Sequence, residues 1–133
     1  MLLTRRMEFS AAHSLWRPDW DAARNRAVYG STAKDSSHGH NYELEVTVRG
    51  EVDPETGMVI DLKRLKEIMA AEVESRFDHR NLNVDTEYFR ERPPTAENLA
   101  GVIFELLDRA LPRDFLYRVR LRPTEDVSIE VTR

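Results

Sequence analysis

The sequence contains no cysteine among its 133 residues. Disulfide bonds and thiolate nucleophiles are therefore excluded, and so are the cysteine ligands on which most structural zinc sites depend. A chain without disulfides is compatible with a reducing compartment, and we expect a cytoplasmic protein. Any catalysis by this chain must rely on other acids, bases and metal ligands.

A basic surface stripe and a long apolar run are missing as well. Acidic residues outnumber basic ones by 24 to 20, and the formal net charge is −4. This balance argues against nucleic acid and against a membrane as partners. The short run Arg118, Arg120 and Arg122 alternates with apolar residues, which is typical of the wet face of a strand. The N-terminus shows no charged-then-apolar leader, so we expect a soluble, unexported protein.

Hydrophobic periodicity predicts six elements within one domain that spans residues 1–133. Alternating polarity predicts strands at 7–13, 42–49, 116–122 and 127–132. An apolar period near 3.6 predicts helices at 61–77 and 95–111. The last two strands are expected to form a hairpin. The order ββααββ is typical of an α+β fold, in which a four-stranded antiparallel sheet carries two helices on one face.

The two predicted helices have clear starts and apolar stripes. Asp61 and Thr95 are expected to cap their N-termini. The first stripe comprises Leu62, Leu65, Ile68, Met69, Val73 and Phe77, and the second comprises Leu99, Val102, Ile103, Leu106, Leu107 and Leu111. The polar stretch from about Arg17 to Ser37 shows no such period and is predicted to be a loop, whose length in a compact domain points to a functional role.

Three of the four histidines are predicted to lie at one end of the sheet. His13 has the parity of the apolar face of the first strand, and His38 and His40 have that of the second. If these strands pair, the three imidazoles can converge on one ion at about 2.0–2.1 Å each. Three histidines without cysteine are typical of a catalytic zinc site, which keeps a fourth position open. Spacing alone leaves open the alternative that they are ordinary core residues.

A second candidate site is the pair Asp78-His79, just past the first predicted helix. A carboxylate beside an imidazole can orient it for proton transfer, and capping of the helix end is the alternative interpretation. In Thr95-Ala96-Glu97, the acidic residue is explained by the start of the second helix, where the helix dipole favours negative charge.

Five sequence motifs occur in a fixed order: FSAAH at 9–13, HGHNY at 38–42, GEVDPETGMV at 50–59, FDHRNL at 77–82 and PTAEN at 94–98. Together they resemble the 6-pyruvoyl-tetrahydropterin synthase family, which includes the 6-carboxy-tetrahydropterin synthases of queuosine biosynthesis. The resemblance extends from about Met7 to Thr124, and all four histidines fall on family positions.

The resemblance implies a tunnelling fold whose subunits form trimeric barrels, with two trimers joined into a homo-hexamer and active sites between subunits. It also implies a Zn²⁺-dependent lyase that acts on a small-molecule pterin, 7,8-dihydroneopterin triphosphate. The implied zinc ligands are His13, His38 and His40. By the same resemblance, Asp78 and His79 form the proton-transfer pair. Thr95 and Glu97 match the segment that lines the pterin pocket.

One departure from the family pattern concerns the catalytic base. The usual base is a cysteine shortly before His-Gly-His, and Thr32 corresponds to that place here. A hydroxyl is too weak an acid to replace a thiolate unaided. Asp35 lies three residues before His38, the offset at which a related subgroup carries a glutamate. We therefore predict Asp35 over Thr32 as the substitute base, with a solvated loop aspartate as the alternative.

A second departure concerns pterin recognition. The family carries a Glu-Thr pair near the C-terminus, whose glutamate binds the amino group and ring nitrogen of the pterin. The ungapped position reads Pro123-Thr124 here, and Glu125 is the candidate substitute if the strand shifts.

We therefore expect a zinc-dependent lyase for 7,8-dihydroneopterin triphosphate or a related reduced pterin. Side-chain cleavage is an open alternative to the usual reaction, because carbon–carbon cleavage needs proton transfers but no thiolate. The competing hypothesis is a non-catalytic zinc-bearing oligomer that binds a small heterocycle or acts as a scaffold.

Overall fold

The computed structural model describes residues 1–33 and 37–133. Its strands are β1 (Leu2–His13), β2 (His38–Arg49), β3 (Arg80–Asn81), β4 (Leu116–Thr124) and β5 (Val127–Thr132). Its α-helices are α1 (Ala22–Tyr29), α2 (Leu62–Met69), α3 (Ser75–Phe77) and α4 (Ala96–Ala110). A 3₁₀ turn, Gly30–Thr32, follows α1, and a π-helical stretch, Ala70–Glu74, joins α2 to α3.

The strands form one sheet in the order β3-β1-β2-β4-β5. The four long strands pair antiparallel, while β3 pairs in parallel with Ala11 and Ala12 of β1. The predicted α+β fold with four antiparallel strands is therefore confirmed, with a fifth strand added at one edge. The sequence does not predict β3 because two residues are too few to show an alternating pattern.

The register between β1 and β2 determines where the histidines lie. Phe9 pairs with Tyr42, Ala11 with His40, and His13 with His38. Side chains at these positions share one face of the sheet, because directly opposite residues in an antiparallel pair point to the same side. The apolar face of the two strands thus continues, at its far end, into three imidazoles.

One face of the sheet and the apolar stripes of α2–α3 and α4 form the core. Tyr42, Leu44, Phe77, Leu99 and Ile103 are among its fully buried members. Within the part of the chain that the structure describes, no helix is long and apolar enough to span a bilayer.

Two expectations about the helices need correction. Leu62, predicted to belong to the buried stripe of the first helix, is 50% exposed because it is the first residue of α2 and lies at the edge of the core. The predicted loop from Arg17 to Ser37 contains a helix, α1, which Asp21 caps by accepting a hydrogen bond from the backbone N–H of Arg24. The capping roles predicted for Asp61 and Thr95 are both confirmed.

Candidate metal centre and active site

The three imidazoles predicted to converge do so. The Nε2 atoms of His13 and His38 lie 3.2 Å apart, and those of His38 and His40 lie 3.0 Å apart. One nitrogen from each ring can be chosen so that all three lie within 4.8 Å of one another, a grouping that could hold a metal ion. Two ligands of a tetrahedral zinc ion at about 2.05 Å would be about 3.3 Å apart, so the observed spacing is close to what the ion requires.

The second nitrogen of two of these rings is held by the backbone. His13 Nδ1 lies 2.6 Å from the carbonyl oxygen of Pro94, and the His40 imidazole is hydrogen-bonded to the backbone of Pro123. A carbonyl can only accept, so the facing nitrogen of His13 carries the proton and Nε2 presents its lone pair. Metal-binding histidines are commonly oriented in this way.

Burial favours the neutral form of the His13 and His40 rings. Desolvation lowers the pKa of His13, helped by the neighbouring His38 and opposed by the bond to Pro94. Burial likewise lowers the pKa of His40, with further lowering from His13 and His38. Because a metal binds only the neutral imidazole, a lowered pKa reduces competition from protons.

The pair Asp78-His79 is held against β1. Asp78 Oδ1 accepts from the backbone N–H of Ser10 at 2.9 Å, and the His79 N–H donates to the Ser10 carbonyl at 2.6 Å. His79 has a positive φ of 59°, an unusual conformation that these two bonds stabilise. Its Nε2 lies 3.5 Å from Asp78 Oδ2, and its side chain is 84% exposed. The carboxylate is thus placed beside an imidazole that is open to a ligand.

Two cavities open beside His40 and share Gly39, His40 and Asn41. One, of about 490 Å³, is also lined by His79. The other, of about 510 Å³, is also lined by Glu125, which lies in the turn between β4 and β5.

Of the other predicted residues, Thr95 and Thr32 make local hydrogen bonds and Glu97 is exposed. Thr95 Oγ1 accepts from the Asn98 N–H at 3.2 Å as the cap of α4, and Glu97 is exposed in the first turn. The Thr32 hydroxyl donates to the Tyr29 carbonyl at 2.6 Å. Asp35 lies outside the described residues.

Sequence reasoning missed the two backbone acceptors, Pro94 and Pro123. Backbone carbonyls carry no sequence signal, so Pro94 could only have been suspected from its place in the motif PTAEN. Arg122 was interpreted as part of a wet strand face. The register places it on that charged face, opposite Glu43, where it lines the 510 Å³ cavity.

Comparisons with known proteins show the family to which the chain belongs. The sequence profile for 6-pyruvoyl tetrahydropterin synthase matches residues 2–133. The chain is 43% identical over 123 residues to 6-pyruvoyl tetrahydrobiopterin synthase of Drosophila melanogaster, covering 92% of this chain and 73% of that protein. It is 32% identical over 127 residues to dihydroneopterin monophosphate aldolase of Pyrococcus furiosus, covering 95% and 92%.

A solved structure shows the same fold. The 6-pyruvoyl tetrahydropterin synthase of Caenorhabditis elegans superposes with a TM-score of 0.94 at 36% identity, and the match covers 100% of this chain and 95% of the other. The family profile matches almost the whole chain, and the sequence identities to the relatives agree with that match. The chain therefore belongs to the 6-pyruvoyl tetrahydropterin synthase family, a family of lyase-type enzymes of pterin biosynthesis.

Proposed function

We propose that this protein is a zinc-dependent lyase acting on 7,8-dihydroneopterin triphosphate or a related reduced pterin. The observation that carries the proposal is the histidine cluster, in which Nε2 atoms lie 3.0 and 3.2 Å apart beside two ligand-sized cavities. Three histidines supply only three of the four ligands of a tetrahedral zinc ion, which is typical of a catalytic rather than a structural site.

His13, His38 and His40 would hold the ion, and their donor set suits zinc because imidazole is a preferred ligand of that metal. When bound, Zn²⁺ supplies Lewis-acid chemistry, polarising oxygens of the substrate side chain and acidifying the neighbouring C–H groups. The carbonyls of Pro94 and Pro123 would keep the rings of His13 and His40 oriented towards it.

Proton transfer is assigned to Asp78 and His79. The His79 ring lines a cavity together with His40, and its Nε2 faces Asp78 at 3.5 Å. This leaves Nδ1 as the nitrogen that can exchange a proton with substrate, while the carboxylate stabilises the imidazolium that forms.

The base that replaces the family cysteine is assigned to Asp35. Its competitor Thr32 already donates its hydroxyl proton to the Tyr29 carbonyl, and an alcohol is in any case a poor base at neutral pH. Glu125, beside His40, is assigned to the pterin ring, and Thr95 and Glu97 to the wall formed by the start of α4.

A specific finding favours side-chain cleavage as the second candidate reaction. The Pyrococcus furiosus relative is an aldolase, an enzyme that cleaves a carbon–carbon bond, and it matches 95% of this chain. Such cleavage requires a base to remove a hydroxyl proton and an acid to protonate the departing carbon, and neither role needs a thiol. A carboxylate and an imidazole can perform both.

The proposed assembly is a homo-hexamer of two trimers. In the described chain, β1 has a strand partner on its outer edge only at Ala11 and Ala12, and β5 pairs only with β4. The strand order makes β1 and β5 antiparallel, so the β5 edge of one copy can pair with the β1 edge of the next. Repetition of this contact would close a barrel.

The decisive experiment is anaerobic incubation of the zinc-loaded protein with 7,8-dihydroneopterin triphosphate, followed by product analysis. We expect turnover that falls at least about hundredfold in Asp35→Ala and His79→Ala, because general acid–base catalysis contributes at this scale. Thr32→Val is the matched control and should retain activity. Tight substrate binding without any product would support the non-catalytic, zinc-bearing alternative.

Metal content is tested separately by elemental analysis. We expect close to one zinc per chain in the wild type and little in His38→Ala, with His79→Ala as the control that keeps its metal. Zinc retained in His38→Ala would remove that residue from the ligand set.

A further inference from the structure

A cavity of about 830 Å³ lies beside the histidine cluster, and the proposed function assigns it no role. Pro94, whose carbonyl oxygen lies 2.6 Å from His13 Nδ1, forms part of its wall. Ser14 and Ser37, the chain neighbours of His13 and His38, line it as well. Small-molecule sites commonly have volumes of about 300–1,000 Å³, so the cavity is large enough to receive part of a ligand that reaches the histidines.

The cavity lies on the side of the sheet to which the three imidazoles point. Its wall includes Phe89, a buried member of the core, and Pro94, which directly precedes the N-cap of α4. Asn83, also in the wall, joins the segment after β3 to the end of β1. Its Oδ1 accepts from the Ser14 N–H at 2.8 Å, and its Nδ2 donates to the Ser14 carbonyl at 2.8 Å. The wall next to His13 is therefore fixed without a ligand.

Cations outnumber anions in this cavity, whose charged residues are Arg17, Asp19, Arg90, Glu91 and Arg92. Arg17 is already bound, because its guanidinium donates to both carboxylate oxygens of Asp19 at 3.0 Å. Across residues 1–33 and 37–133, neither Arg90 nor Arg92 forms an ion pair, and Arg92 uses only its Nε, which donates to a backbone carbonyl at 3.2 Å. Two guanidinium groups with available donors thus remain.

Two guanidinium groups on one cavity suit a ligand with several anionic oxygens. Each group presents its N–H donors as a planar fork that matches the oxygens of a phosphate. A chain of phosphates can meet both forks at once, whereas a single phosphate offers fewer oxygens. The nearby carboxylate of Glu91 opposes any anion, and this favours a ligand that binds both arginines over one that binds only one.

We propose that Arg90 and Arg92 bind the triphosphate group of the substrate and make this chain selective for a triphosphate over a monophosphate. The inference rests on the proposed function, since it identifies where the far end of that substrate lies. The sheet order β3-β1-β2-β4-β5 agrees with this placement. Glu125, assigned to the ring, follows β4, the histidines lie on β2 and β1, and the cavity borders the segment after β3.

The test is equilibrium binding by calorimetry, with zinc-loaded protein and three probes that differ only in phosphate number: neopterin, neopterin monophosphate and neopterin triphosphate. Their oxidised ring differs from the reduced ring of the substrate, so the probes report binding alone. The wild type should bind the triphosphate at least about tenfold more tightly than the monophosphate, the effect expected for one further hydrogen bond between charged groups. Arg90→Gln/Arg92→Gln should lose most of that preference and bind neopterin as the wild type does.

Two further variants make the result specific. Arg90→Lys/Arg92→Lys keeps the charge without the planar fork and should restore part of the preference. Arg64→Gln/Arg113→Gln is the matched control, since it removes the same charge from two exposed arginines that do not line this cavity. It should keep the wild-type preference. A loss as large as in Arg90→Gln/Arg92→Gln would overturn the proposal, because the effect would then come from the net charge of the protein.

The outcomes also separate this inference from the proposed function. A wild type that turns over 7,8-dihydroneopterin triphosphate but binds the monophosphate and triphosphate probes equally would overturn the inference alone. Full preference retained in Arg90→Gln/Arg92→Gln would do the same, since the phosphates would then bind elsewhere. Equal weakening of all three probes in that variant would also overturn it, because the arginines would then support the shape of the site. A wild type that binds none of the probes would overturn both proposals.

Discussion

At the scale of single residues, the histidine cluster depends on groups that lie outside its own two strands. The Pro94 carbonyl precedes the N-cap of α4, and the Pro123 carbonyl belongs to β4. Proline has no N–H to donate to the neighbouring strand, and the pairing of β4 with β5 shifts register between Leu121 and Thr124. The carbonyl of Pro123 is thus available to His40 at a point where the regular ladder is interrupted.

Tyr42 is a second residue whose surroundings are unusual. It is fully buried, stacks on Phe9 with ring centroids 5.1 Å apart, and lies edge-on to His40 at 5.5 Å. Its hydroxyl is buried and has no hydrogen-bond partner among the described residues. Burial raises the pKa of Tyr42 to about 12, because the charged phenolate would have to form in an apolar core.

We predict that Tyr42→Phe leaves the free energy of unfolding unchanged or raises it by up to about 1 kcal/mol, because it removes a buried hydroxyl without breaking a hydrogen bond. Urea denaturation measures this directly. Tyr88→Phe is the control, since its hydroxyl accepts from Arg76 at 2.7 Å and its loss should destabilise slightly. A large destabilisation by Tyr42→Phe would mean that its hydroxyl has a partner.

The residues of the site were predictable to different degrees. Parity along two strands was enough to bring His13, His38 and His40 to one face, because a strand repeats every two residues. The wet face of Arg122 followed from the same alternation, whereas the cavity that it shares with Glu125 depends on the hairpin turn and was not predictable. The roles of Asp35, Asp78 and His79 remain predictions of sequence resemblance that the variants above would test.

At the scale of elements, α1 shows why a periodic pattern is not sufficient to find every helix. Its residues form no apolar stripe, and its one buried member is Asn25. The Asn25 amide accepts from the Arg17 N–H at 2.7 Å and donates to the carbonyls of Arg17 and Asp21 at 2.9 and 3.0 Å. Asn25 therefore joins α1 to the preceding turn through polar bonds, which the hydrophobic pattern does not report.

We predict that Asn25→Ala destabilises the protein by about 1–3 kcal/mol, because the Arg17 N–H and the nearby carbonyls lose their partner in a buried position. Hydrogen exchange should accelerate at Arg17 and through α1, while the core of the sheet stays protected. Val28→Ala, at a 57% exposed position of the same helix, is the control and should change little. Unchanged exchange in α1 would show that other contacts hold the helix.

The remaining helices were predictable because their apolar stripes are long. The stripe from Leu65 to Phe77 stays on the core although the backbone passes through a π-helical stretch, and the stripe of α4 is buried from Leu99 to Leu107. The predicted burial of Leu62 was wrong because a first-turn residue lies at the margin of the core. The strand β3 was not predicted because its pairing with β1 depends on the chain returning to β1 after α3.

At the scale of the whole molecule, the sheet has one apolar face and one charged face. The helices cover the apolar face, while the opposite face carries ion pairs such as Arg120 with Glu45 at 3.2 Å and Arg6 with Glu43 at 2.7 Å. Both outer strands also leave backbone groups available for pairing. A ring of copies joined edge to edge would satisfy those groups and enclose the charged face as a polar lumen.

The proposed barrel is tested by blocking one edge. The Arg133 N–H donates to the Tyr117 carbonyl, so the next pair, Thr132 with Arg118, is a non-hydrogen-bonded one, and the Thr132 N–H points away from β4. Thr132→Pro removes that outward donor and should leave the pairing with β4 intact, because proline is tolerated on edge strands.

Light scattering should find about 93 kDa for the wild type, six chains of 15.5 kDa, and a smaller mass for the variant. Thr132→Val should keep the wild-type mass. A Thr132→Pro protein that is folded and still hexameric would show that β5 does not form the contact between copies.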